Sequence, residues 1–219
     1  MNVLVIAPHP DDESIGCGGM LCHHTTRGDR VTAIYLTSGR LGLKHLPREK
    51  ACFIREGEAK KAAKILKLEN PCFLRCSDWM LGEEISKAES LLRPILKRKK
   101  PKLIYLPHPQ EWHPDHKAAL PIVLAAFKRS GIPAPTLRGY EIWTPLTRYD
   151  HVEDISAVMK RKLKAIRAHR SQLNDYDYVR AITGLNHYRG AMTLKCEAAE
   201  VFLEWSLAMK KPTHSWEQI

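Results

Sequence analysis

Three short runs of nearly unbroken apolar residues, at positions 2–7, 31–36 and 103–106, constrain this chain more than any other feature. A strand with one wet face alternates polar and apolar residues. These runs do not, so both faces are covered, as in a parallel sheet flanked by helices. Residues from about 15 to 27 supply a crossover helix between the first two, ending before Gly28. Such a βαβ unit crosses over right-handed and puts the loop after the first strand at the carboxyl edge of the sheet, where open α/β folds place ligands.

The alternation continues along the chain. A helix over 49–66 is ended by Asn70-Pro71, and a strand at 72–74, a helix at 83–97, the strand at 103–106 and a helix to about 128 follow. After a turn containing Gly131, Pro133 and Pro135, the pattern gives strands near 140–143 and 151–155 and a helix near 156–169. Residues 174–190 read as irregular, and 197–204 as helix or strand. The whole predicts an α/β, Rossmann-like three-layer sandwich with a mostly parallel central sheet and a less regular C-terminal third. At 219 residues it is one domain, spanning 1–219.

Two polar clusters interrupt this apolar frame where strands end. The first is Pro8-His9-Pro10-Asp11-Asp12-Glu13, and the second is Trp112-His113-Pro114-Asp115-His116. An imidazole and a carboxylate from one loop, with an imidazole from the other, suit a borderline divalent ion such as zinc. A hydrolytic zinc site keeps three protein ligands and leaves a fourth position for water, whose pKa falls to roughly 7. The carboxylate of Asp11 or Asp12 that does not bind the ion is then free to act as general base, and spacing alone does not say which. One of His113 and His116 can ligate while the other faces the substrate, stabilising an oxyanion and protonating the leaving amine. Asp115 is the carboxylate expected to hold that histidine's tautomer and raise its pKa.

The two clusters carry a family resemblance. APHPDDE, then GCGG at 16–19 and HPDH at 113–116, resembles the LmbE-like or PIG-L family of metal-dependent N-deacetylases. VTAIYLTSG, the segment from Arg55 to Ala59, LIYLPHP, Tyr140 to Trp143 and Ser171-Gln172 are similar to further landmarks of that family in the same order, so the likeness covers roughly residues 1–205. The resemblance implies removal of an N-acetyl group from a glucosamine-type sugar or conjugate. It implies His9, Asp12 and His116 as zinc ligands (Fe2+ being an alternative), Asp11 as general base, and His113 with Asp115 as the acid that stabilises the tetrahedral intermediate. Arg55 and Asp78 fall where the family contacts sugar hydroxyls, and Tyr188 is the candidate for an oxyanion-binding tyrosine. Members of the family often assemble, so a homo-oligomer is also implied.

The remaining composition mostly excludes. No apolar run approaches the roughly 20 residues that span a bilayer, no basic leader precedes the first strand, and the mean hydropathy is −0.35. A cytoplasmic protein is expected. Six scattered cysteines without a CxxC pair read as free thiols, and Cys72 and Cys76 have no second pair with which to form a zinc finger. The net charge of +11 permits an anionic partner without naming one. The run Lys97 to Lys100 closes a helix, and the basic residues from Lys160 to Arg170 read as a solvated helix face. No nucleic-acid motif accompanies the charge, and Gly16-Cys-Gly18-Gly19 lacks the pattern of a dinucleotide loop. A phosphoesterase using the same cluster is the rival enzyme reading; only one metal's worth of ligands is visible, against the two of many phosphatases. Specificity is expected from residues 40–48, the Trp79 region and 175–189, where basic residues would favour an anionic aglycone.

Overall fold

A computed structural model describes residues 1–206; the remainder of the expected 1–219 domain lies outside the described residues. The apolar runs become β1 (Asn2–Ala7), β2 (Arg30–Thr37) and β4 (Leu103–Pro107), joined in the sheet by β3 (Cys72–Cys76), β5 (Thr136–Tyr140), β6 (His151–Asp154) and β7 (Ala199–Ser206). The strand order is β3-β2-β1-β4-β5-β7-β6. Strands β1 to β5 pair in parallel, while β7 runs antiparallel to both β5 and β6.

The helices are α1 (Asp12–Thr26), α2 (Arg48–Leu66), α3 (Ile85–Lys99), α4 (Pro114–Lys128), α5 (Met159–Ile166) and α6 (Tyr178–Met192). Successive side chains of β1 point to opposite faces, which explains why an unbroken apolar run was needed. Leu4 and Ile6 pack with Leu92, Leu96 and Ile122 of α3 and α4. Val3, Val5 and Ala7 pack on the other face with Leu21, Ala59, Ala62 and Ala165 of α1, α2 and α5. Each fully buried side chain of this size contributes about 1.5–3 kcal/mol. Among the described residues no helix is long and apolar enough to cross a membrane.

Four expectations shift. The strand expected at 140–143 is β5, ending at Tyr140. It starts directly after Pro135, and beyond it the backbone N–H groups of Ile142, Trp143 and Thr144 are taken by the Glu111 carboxylate instead of a ladder. Residues expected to be irregular form α6, whose N-terminus is capped by Asp177 accepting from the Arg180 N–H at 3.0 Å; Gly184 and Gly190 disguised it. The helix expected over 156–169 is a 3-10 turn followed by the shorter α5. Finally, the basic group on α5 is not uniformly solvated, because Lys162 is fully buried and donates to Glu200 Oε1 (2.7 Å) and Asn186 Oδ1 (2.8 Å).

That buried pair serves α1. The helix is broken at Cys17 (φ −141°, ψ 18°). The freed N–H groups of Gly19 and Met20 donate to Glu200 Oε1 (2.8 Å) and Oε2 (2.7 Å). Gly16 permits the close approach this break creates: a Cβ there would lie 2.2 Å from the Tyr140 ring. Gly16 thus seats the first turn of α1, which carries Asp12, against Tyr140 of β5.

Candidate active site

The strand order reverses between β1 and β4, and both polar clusters leave the sheet at the carboxyl ends of those two strands. Three donor atoms converge there. His9 Nδ1 and Asp12 Oδ2 are 3.5 Å apart, His116 Nε2 and Asp12 Oδ2 3.3 Å, and His116 Nε2 and His9 Nδ1 3.3 Å. Ligands about 2.0–2.1 Å from a tetrahedral ion are separated by about 3.4 Å, so the triangle fits a divalent cation of zinc-like size. His9, Asp12 and His116 form a group able to hold a metal ion.

Local chemistry fixes each of these three side chains. The backbone N–H of His9 donates to Asp12 Oδ2 at 2.8 Å, tightening the loop. His9 Nε2 donates to Asp115 Oδ2 at 3.0 Å, leaving Nδ1 for a cation. His116 turns its Nδ1 toward Glu111 Oε2, 3.6 Å away. Burial opposes charge on Asp12, yet His116 and His9 hold its carboxyl well below the usual range. Burial likewise works against a charged His9, but the bonds to Asp115 and Asp12 carry it to about 10.

Asp11 sits beside this triangle in a strained backbone conformation, φ 133° and ψ −28°. Non-glycine residues in such regions cost about 1–3 kcal/mol and cluster at functional sites. Arg55 of α2 braces it, with Nη2 donating to Asp11 Oδ2 (3.2 Å) and Pro10 O (2.6 Å), and Nη1 to Gly39 O (2.9 Å) and Gln172 Oε1 (2.8 Å). Gly39, at φ 62°, gives Arg55 its room: a Cβ there would lie 2.7 Å from the guanidinium carbon. Burial lifts the Asp11 carboxyl to about 6 against the pull of Arg55.

His113 caps α4, its Nδ1 accepting from the Asp115 N–H at 3.2 Å. In the neutral ring that places the proton on Nε2. Asp115 was expected to hold His113 and raise its pKa, and here the structure differs. The carboxylate of Asp115 is committed to His9 and to the N–H groups of Trp79 (2.7 Å) and Leu81 (3.1 Å). Burial, followed by the positive charge of His9 and His116, pushes His113 down to about 4.

The site opens into a cavity of about 510 Å³. Arg55 and Asp78 both line it, and each has a buried atom without a hydrogen-bond partner, Nε and Oδ1 respectively. Tyr188 does not line it; 58% exposed on α6, it stacks near Arg189. The tyrosines on the cavity are Tyr176 and Tyr178, packed with Trp143 at ring distances of 5.5 and 5.7 Å. Sequence reasoning missed Tyr178, the Arg55 partnership with Gln172, and Glu111. A carboxylate two residues before His113 was the available signal for the last.

A sequence model of the PIG-L family, described as GlcNAc-PI de-N-acetylase, matches residues 4–127. The chain belongs to this family. It is 30% identical over 187 residues to the diacetylchitobiose deacetylase of Thermococcus kodakarensis, covering 78% of this chain and 70% of that one. It is 32% identical over 186 residues to the probable N-acetyl-alpha-D-glucosaminyl L-malate deacetylase 2 of Bacillus subtilis, covering 78% and 83%. Among solved structures, the conserved protein TT1542 from Thermus thermophilus superposes with a TM-score of 0.80 at 28% identity, covering 99% of this chain and 98% of that one.

Proposed function

We propose that this chain, acting as a single domain, hydrolyses the acetamide of an N-acetylglucosamine-type sugar or conjugate, releasing acetate and a free amine. The observation that carries the reading is the triangle of His9, Asp12 and His116, with donor separations of 3.3–3.5 Å, flanked by Asp11 on one side and His113 on the other. A divalent cation held by those three residues, zinc or alternatively Fe2+, supplies Lewis acidity and an acidified water. Asp11, held by Arg55, takes the proton of the attacking water and returns it to the amine as the C–N bond breaks. His113 directs its Nε2–H at the carbonyl oxygen as negative charge develops there. Because its Nδ1 accepts the Asp115 N–H, the proton of the neutral ring lies on Nε2. Asp115 supports the reaction by orienting His9. Asp78 and Arg55, which line the cavity, are suited to sugar hydroxyls. The relatives named above support an acetamido sugar as the substrate class. Incubating the protein with a panel of N-acetylated sugars, with and without chelator, and measuring acetate and primary amine tests the reading. Chelator-sensitive amine release is expected; no metal-dependent deacetylation across a broad panel overturns it.

A further inference from the structure

Glu111 is wholly buried in the loop between β4 and α4. Its Oε1 accepts from the backbone N–H groups of Ile142 (2.8 Å), Trp143 (3.1 Å) and Thr144 (3.3 Å), an anion nest formed by one short segment. That segment follows β5 and carries Trp143 into the cavity wall, where its ring meets Trp112 (6.0 Å) and Tyr178 (5.7 Å). The second oxygen, Oε2, shares the Trp143 N–H at 3.3 Å and stands 3.6 Å from Nδ1 of His116, a buried nitrogen without a hydrogen-bond partner. His108 closes the same loop from the far side, donating from Nε2 to Thr144 O at 2.7 Å. One carboxylate therefore lies between a candidate metal ligand and a tryptophan-bearing wall of the cavity.

A histidine that ligates through Nε2 keeps its proton on Nδ1 and needs an acceptor there. Building on the metal-site reading, we propose that Glu111 is a positioning residue that couples cation binding at His116 to the ordering of residues 142–144. With Nε2 on the ion, the one proton left on the His116 ring is fixed at Nδ1 and is donated to Oε2, which holds the carboxylate in the orientation that captures the three amides. By linkage, a wall already ordered binds the ion more tightly. The metal then helps to shape the substrate cavity as well as to activate the reaction.

Hydrogen exchange tests this with Zn2+ alone as probe, in the unaltered protein and in Glu111→Gln. The glutamine amide oxygen still accepts from 142–144, but its NH2 group meets the His116 N–H donor to donor. In the unaltered protein Zn2+ slows exchange at 142–144. In E111Q that response disappears, while the amides of Trp79 and Leu81, held by Asp115, still respond, and Zn2+ affinity by chelator competition falls about 10-fold or more. Zn2+ that binds the unaltered protein without slowing exchange at 142–144, or binds E111Q with unchanged affinity, overturns the coupling. Absence of Zn2+ binding by the unaltered protein overturns the metal-site reading and the coupling with it. If E111Q fails to fold, the exchange response of the unaltered protein decides alone.

Discussion

The carboxylate of Asp115 lies 3.0 Å from Nε2 of His9, on the opposite side of the ring from the ligand triangle. It also accepts from the backbone of Trp79 and Leu81. One side chain thus fixes the direction of a candidate metal-ligating histidine and the loop bearing Trp79.

Replacing Asp115 with Asn keeps the shape but weakens the acceptor for His9. Cation affinity is expected to fall about 10–100-fold, the usual cost of losing such a partner. Stability falls by about 1–3 kcal/mol as the backbone donors of Trp79 and Leu81 are left poorly matched. Chelator competition and thermal unfolding read the two effects separately.

Asp11→Asn separates the proposed base from the proposed ligands. Turnover should drop by about 10²- to 10⁴-fold, the range associated with general acid–base catalysis, with cation binding retained. Metal content after gel filtration, measured with turnover on the same preparation, checks this; loss of the ion from a folded variant would reassign Asp11 as a ligand.

Gly16→Ala places a methyl group inside the van der Waals envelope of the Tyr140 ring. Overpacking of this kind costs about 1–3 kcal/mol. The variant should melt at a lower temperature, and the companion Tyr140→Leu should relieve part of the loss.

Acid should weaken the fold at defined surface points. Bonds from Lys99 and Thr32 hold the Glu69 carboxyl below its ordinary value, and the backbone N–H of Ser77 does the same for Glu84. Because the folded pKa is the lower one, this stability is fully present above the unfolded carboxylate value of about 4.3 and is lost as pH falls through the folded pKa. Glu69→Gln should flatten the acid limb of a melting-temperature profile while lowering its plateau near neutrality.

Much of the fold was written in local signals. The runs ending at Ala7, Leu36 and Leu106 lacked any solvent-facing pattern, and His9, Asp12 and His116 stood where such strands must release their loops. What stayed hidden depends on which way a side chain turns across long sequence separations. Asp115 is two residues from His113 but turns to His9, 106 positions away. Lys162 belongs to a basic stretch, yet Glu200 draws it inside. Tyr188 and Tyr178 share one helix, and only the packing of Trp143 decides which of them meets the cavity. The helix itself escaped notice because its glycines masked the pattern.

The Glu200 cap on the broken α1 has a consequence for how the protein comes into being. The loop carrying His9 to Asp12 adjoins a helix whose securing carboxylate is made about 180 residues later, on a strand inserted between β5 and β6. A chain stopped before Ala199 has both polar clusters but no fastening for the first. Contacts between such distant residues form slowly. The first cluster is therefore secured only after β7 has been made, long after the residues that compose it.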